Sequence, residues 1–170
     1  LSKSDYVLGR FSAGFALILV LCALMLALMA LGSQMPWIDA KKVGPLSLFP
    51  YVYTFLISAL PNMLFIAGLL ALLASVTRSM LMVYVGVVAI AGLMGGAQSL
   101  MRQLDSQTFA ALLDHSGFQP VAAMTRYWLV NDFNTRIPEF SGLLLANRLL
   151  WGTLGLGMLG LAVRLFKPVR

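Results

Sequence analysis

Charge is scarce in this sequence. Asp, Glu, Lys and Arg make up 11% of its 170 residues, against about a quarter in a soluble domain. Cysteine is nearly absent: Cys22 stands alone inside an apolar run, so no intramolecular disulfide can form. His115 is the one histidine, and neither HExxH nor any other metal-ligand spacing occurs, so no metal or other cofactor is expected in this chain. The phosphate-binding pattern GxxxxGK[ST] is missing too, which excludes P-loop ATP hydrolysis by these residues. No basic run exceeds Lys41-Lys42, and basic and aromatic residues do not interleave on a polar surface. The net charge of +6 therefore does not point to nucleic acid.

What is abundant is apolar side chain. Hydrophobic residues reach 60% and the mean hydropathy is +0.89, too much apolar surface for a water-soluble fold of this length to bury. A bilayer core about 30 Å thick takes about 20 apolar helical residues. Four stretches meet that length, 11–31, 51–74, 80–97 and 147–165. The expected fold is an all-α polytopic membrane bundle of four spans forming a single domain over 1–170. Leu1-Ser2-Lys3-Ser4-Asp5 reads as the middle of a loop, so a fragment of a longer chain is expected.

Four spans put both termini on one side, with the turn Ser75-Val76-Thr77-Arg78-Ser79. That side gathers Lys3, Arg10, Arg78, Arg164, Lys167 and Arg170 against Asp5, whereas the other carries most of the acids. The positive-inside bias then places the termini in the cytoplasm and loop 98–146 outside. Within this loop, Asp105-Ser106 can cap a helix through Leu113 and Pro120 can open another through Leu129, giving short helices at the outer surface. Trp37, Tyr51, Tyr53, Tyr127, Trp128 and Trp151 are expected at the interface as anchors.

Pro61 removes a helical hydrogen bond from the second span. It either kinks one tilted helix, the preferred expectation, or separates a segment over 46–60. Asn62 beside it is an amide at membrane depth, which needs a partner on another helix or a water-filled path. Gly92 and Gly96 form a GxxxG pair, and Gly152, Gly155, Gly157 and Gly160 enrich the last span in small residues. Such spacing serves packing inside the bundle or, alternatively, a dimer interface. Arg126, Asp132, Arg136 and Glu139 either pair at the outer surface or, with Trp128, offer a docking patch for Arg126, Trp128 and Arg136 to present. The spans hold no Asp pair and no Ser with a His partner, so no enzyme activity is expected of them. His115 after Asp114 and before Ser116-Gly117 reads as a helix end or turn rather than a ligand.

The order of features resembles a known family. Asp5-Tyr6-Val7-Leu8-Gly9-Arg10-Phe11 is similar to the lead into the third helix of bacterial ABC-2-type permeases. Leu60-Pro61-Asn62 and Thr77-Arg78-Ser79 follow at matching places. Thr125-Arg126-Tyr127-Trp128, then Asn134-Thr135, then the run from Gly142 through Asn147-Arg148 to Trp151 resemble the subgroup fused to an M1-family aminopeptidase domain. The resemblance implies the last four helices of a six-helix permease unit in the bacterial inner membrane. It also implies a separate cytoplasmic ATP-binding subunit and a second permease half or homodimer. The alternative is a membrane anchor or scaffold for a fused or associated peptidase. The first two helices of such a unit and all peptidase sequence are missing from these residues.

Overall fold

The computed structural model describes residues 3–39, 46–100 and 107–166. They form helices and no strand: α1 (Lys3–Gly32), α2 (Phe49–Tyr53), a π-helical turn (Thr54–Ala59), α3 (Leu60–Thr77), α4 (Met80–Leu100), α5 (Gln107–Leu113), α6 (Phe118–Met124), α7 (Val130–Thr135) and α8 (Gly142–Leu165). Lys41, Lys42, Lys167 and Arg170, and the cap expected at Asp105-Ser106, lie outside the described residues.

Three helical stretches are long and apolar enough to cross a membrane: Ser4–Gly32, Phe49–Thr77 and Gly142–Leu165. The four-span expectation meets a difference at α4, whose described apolar stretch, Met80–Gly96, is shorter. At 1.5 Å per residue it extends about 25 Å, against a hydrocarbon core of about 30 Å. The last span begins earlier than expected, at Gly142 rather than 147, because Leu143, Leu144 and Leu145 carry the apolar run forward. Its start is set by extended Ser141 (φ −143°, ψ 173°) and by Gly142 at φ 52°.

Pro61 does not divide the second span. Residues from Phe49 to Thr77 run as one helix, and the strain is absorbed ahead of the proline, where Leu60 donates its N–H to the Phe55 carbonyl five residues back. A proline ring crowds the carbonyl four residues earlier. One wide turn relieves that crowding without ending the helix, and such π segments recur at functional sites.

The core is the seam between α3 and α8, which run parallel: Asn62 meets Arg148, Phe65 meets Trp151, and Gly68 meets Gly155. A Cβ on Gly155 would lie 2.8 Å from the Leu64 carbonyl and the Phe65 Cα, and one on Gly68 would overlap the Gly155 carbonyl oxygen. The absence of side chains at these two positions is what lets the backbones touch, the use to which small residues are put between membrane helices. Arg78, left-handed at φ 53°, reverses the chain between α3 and α4. At the same end of the bundle, the Tyr6 ring of α1 lies 5.5 Å from Phe166 beyond α8. The flanks of α1 and α4 stay largely exposed, Val20 at 63% and Val88 at 71%. Apolar faces of that extent are stable against lipid or a partner and not against water.

The first short helix ends at Leu113 as expected, and the second ends sooner. Pro120 sits in the first turn of α6, but that helix stops at Met124, where Thr125 adopts φ −95° and ψ 6° and returns its hydroxyl to the Val121 carbonyl. A new helix, α7, starts at Val130 after extended Leu129, whose N–H donates to the Asp132 carboxylate at 3.0 Å.

Candidate functional site

Two consecutive residues of α8, Asn147 and Arg148, lie in its second turn at 0% and 3% exposure. They face the turn 114–117 that joins α5 to α6. That turn is shaped by Asp114, whose Oδ1 accepts the Ser116 N–H at 2.9 Å and the Ser116 hydroxyl at 2.5 Å, while Oδ2 accepts the Gln119 N–H at 2.8 Å. The carboxylate thereby satisfies an orphan donor in the first turn of α6, where negative charge is favoured. Gly117 completes the reversal at φ 80°.

The opposite problem arises at the C-terminal end of α5, where the last carbonyls have no helical partner. Side chains of α8 fill this need. The Asn147 amide donates to the carbonyls of Ala111 at 2.6 Å, Leu112 at 3.3 Å and Asp114 at 2.8 Å. Trp151 Nε1–H adds a bond to Leu112 at 2.9 Å. Arg148 donates from Nη2 to the His115 carbonyl at 2.8 Å, and from Nη1 to the Ser116 carbonyl and to Asn62 Oδ1, each at 3.3 Å. Its Nε–H donates to Asn147 Oδ1 at 2.9 Å, as does Nη2–H. Asn62 returns its own amide to the Ser116 carbonyl at 2.9 Å. The cluster ties α3, α8 and the α5–α6 hairpin together, and the hydrogen bonds of its one buried cation run to neutral oxygens.

His115 occupies the apolar side of the same turn at 3% exposure. Its ring lies 5.6 Å from Phe65 and 6.0 Å from Trp151, and those two rings meet edge-on at 4.6 Å. Its Nδ1 is buried with no hydrogen-bond partner. Desolvation lowers the imidazole pKa below its ordinary value, and the Arg148 charge lowers it further against the opposing pull of Asp114. The ring is therefore neutral at neutral pH. The Ser116 hydroxyl is committed to Asp114 and not to the imidazole, so the consecutive Asp114, His115 and Ser116 do not line up as a nucleophile and its base. Among the described residues no group of three His, Cys, Asp or Glu side chains could hold a metal ion.

The other expected site residues are dispersed. Of the small residues, Gly155 is in the α3–α8 seam, whereas a Cβ on Gly92, Gly96, Gly152, Gly157 or Gly160 would meet nothing within 4 Å. Trp128 and Arg136 line one surface hollow with Met124 and Glu139. Arg136 pairs with Asp132 at 3.3 Å, while Arg126 lies over the Tyr127 ring, 5.8 Å from its centroid. Trp37 is 77% exposed, whereas Trp151, also expected as an anchor, is 7% exposed and belongs to the core. Its side chain is turned inward because α8 starts earlier than expected and faces α3 with this surface.

Arg148, Asn147 and Trp151 were not singled out for chemistry by sequence reasoning. The available signal was an ionisable residue inside a predominantly apolar helix, which marks a functional position by default. Comparison of the chain with protein-family models, with curated proteins and with solved structures finds no match.

Proposed function

We propose that the chain is the membrane-spanning part of an ABC-2-type permease, moving a substrate across the bacterial inner membrane with energy from a separate ATP-binding subunit. The observation that carries this reading is Arg148, 3% exposed within an apolar bundle and clamping a helical hairpin across one end of it. A membrane anchor needs only an apolar exterior, and a buried guanidinium is costly there. A permease, by contrast, must close one end of its bundle and be able to open it.

In this reading α4 is the fourth crossing, its full 21 residues reaching about 31 Å. The end carrying Arg10, Arg78 and Arg164 is cytoplasmic by the positive-inside bias, and the hairpin end is periplasmic. The exposed faces of α1 and α4 contact lipid and a second permease half or a second copy. The resemblance of Asn147-Arg148-Leu149-Leu150-Trp151 to the aminopeptidase-fused subgroup supports reading the chain as a member of that subgroup, with the peptidase outside these residues.

The test is purification of the full-length protein from its native membrane. A co-purifying ATP-binding subunit at fixed stoichiometry, with ATP hydrolysis that responds to bilayer composition, is the expected result. A full-length protein that purifies without any ATP-binding partner, and retains membrane-attached peptidase activity, would replace the permease by the anchor.

A further inference from the structure

A cavity of about 450 Å³ opens beside the hydrogen-bonded cluster, between the π-helical turn and the α5–α6 hairpin. It is within the size range of small-molecule sites, about 300–1,000 Å³. Its apolar wall includes Pro50, Ala59, Phe118, Val121 and Ile137. The polar residues of the lining are Tyr53, Thr54, Ser58, Asn62, Ser116 and Arg136. A mostly apolar hollow with a small number of polar groups is the ordinary form of a ligand site. The walls are also held in place independently of any occupant. The Tyr53 hydroxyl donates to the Pro138 carbonyl at 2.5 Å, tying one wall to the 136–138 segment, and Asn62 ties the other to Ser116.

The charge on the lining has one sign. Among the described residues that line the cavity, Arg136 is the single charged one. Its side chain is 68% exposed, and its ion pair with Asp132 engages Nε, while a guanidinium carries further N–H donors on its two Nη groups. The neighbouring carboxylate lowers the net attraction for a second anion, which suits a head of single charge better than a doubly charged phosphate. The cavity also stands at the polar end of the α3–α8 seam, where an amphiphile would have its head near water and its tail toward the bundle.

We propose that this cavity binds a single-chain carboxylate amphiphile of the fatty-acid type, its carboxylate at Arg136 and its acyl chain along Ala59, Phe118 and Val121. The site does not depend on the permease reading, and its test requires neither ATP nor transport.

The full-length protein in phosphatidylcholine nanodiscs is labelled with a palmitate carrying a photoactivatable diazirine, and the adducts are mapped by mass spectrometry. Saturable labelling within segments 50–62 and 116–121 is expected. Excess palmitate should reduce it at least tenfold and hexadecanol less than twofold. Ala59→Trp, which fills the cavity, should abolish the labelling. Arg136→Gln should weaken it about tenfold, the effect of one charge-assisted hydrogen bond. Val121→Trp fills the opposite wall and decides the matter if Ala59→Trp does not fold. Label spread along the exposed face of α1 and insensitive to these variants would overturn the site. Equal competition by hexadecanol would overturn the anionic head, and stronger competition by lysophosphatidate would overturn the carboxylate.

Discussion

Asn62 of α3 and Arg148 of α8 grip the same carbonyl, that of Ser116, at 2.9 and 3.3 Å, and they bond each other at 3.3 Å. This triangle means that neither helix can slide along the other without breaking a hydrogen bond to the Ser116 carbonyl or between the two side chains. A parallel helix pair, otherwise held by backbone contact at Gly68 and Gly155, thus has its register set at one end by polar groups.

The members of the triangle differ in what their loss leaves behind. Arg148→Ala strips the His115 carbonyl of its side-chain donor, removes a donor from Ser116 and Asn62, and opens a void. It is expected to cost about 3 kcal/mol or more. Arg148→Lys keeps the charge but loses the planar fork, so it recovers only part of this. Asn62→Leu is milder, about 1 kcal/mol, since Ser116 keeps Arg148 as donor. Denaturant titration of the purified protein in micelles ranks the three, and an equal cost for Asn62→Leu and Arg148→Ala would contradict the arrangement.

The glycines of α8 make a controlled comparison. Gly155→Ala places a methyl 2.8 Å from the backbone of Leu64 and Phe65, whereas Gly152→Ala and Gly157→Ala meet nothing within 4 Å. Overpacking of this kind costs about 1–3 kcal/mol. The open positions are expected to be neutral or slightly stabilised, since alanine is the better helix former by about 1 kcal/mol. Thermal unfolding of the three single variants checks the order. A Gly152→Ala variant as damaged as Gly155→Ala would mean that the open face is covered by another chain.

Helix positions were largely legible because hydropathy and helix length are properties of consecutive residues. Pro61 could be read as a disturbance, but only the structure shows it answered by a π turn ahead of it. Asn62 was visible as an amide in an apolar stretch. Its partners were not, since Ser116 and Arg148 lie 54 and 86 residues away. Trp151 was expected at the interface because its span was expected to begin at 147, which also put Arg148 at the very start of that span. Starting α8 at Gly142 moves both inward. A helix's start thus decided whether a cation met water or carbonyl oxygens, and that start depended on three leucines balanced between loop and span.

Two glycines with positive φ separate backbone strain from steric conflict. Gly142→Ala at φ 52° has open space around its new methyl, so its cost is that of the left-handed conformation alone, about 1–2 kcal/mol. Gly117→Ala at φ 80° adds a Cβ 2.6 Å from the Arg148 Cζ, which forces the guanidinium off its carbonyls. The second variant is expected to be clearly the less stable by thermal unfolding. In Arg148→Ala the two glycine substitutions should converge, because the colliding group is gone.

His115 makes stability depend on pH with a definite sign. Its pKa is lowered in the folded protein by burial and by Arg148, so the unfolded chain binds a proton more readily. Stability is then fully present above the unfolded value of about 6.5 and falls as pH drops through it toward the folded pKa, by at most about 1.4 kcal/mol per unit. His115→Phe keeps an aromatic ring beside Phe65 and Trp151 and removes the titrating nitrogen that has no partner. Thermal unfolding of both proteins between about pH 8 and pH 5 isolates this residue, because all other titrating groups are common to the pair. The wild type should lose stability relative to His115→Phe as the pH is lowered. Parallel curves would show that the imidazole finds a proton partner in the folded state.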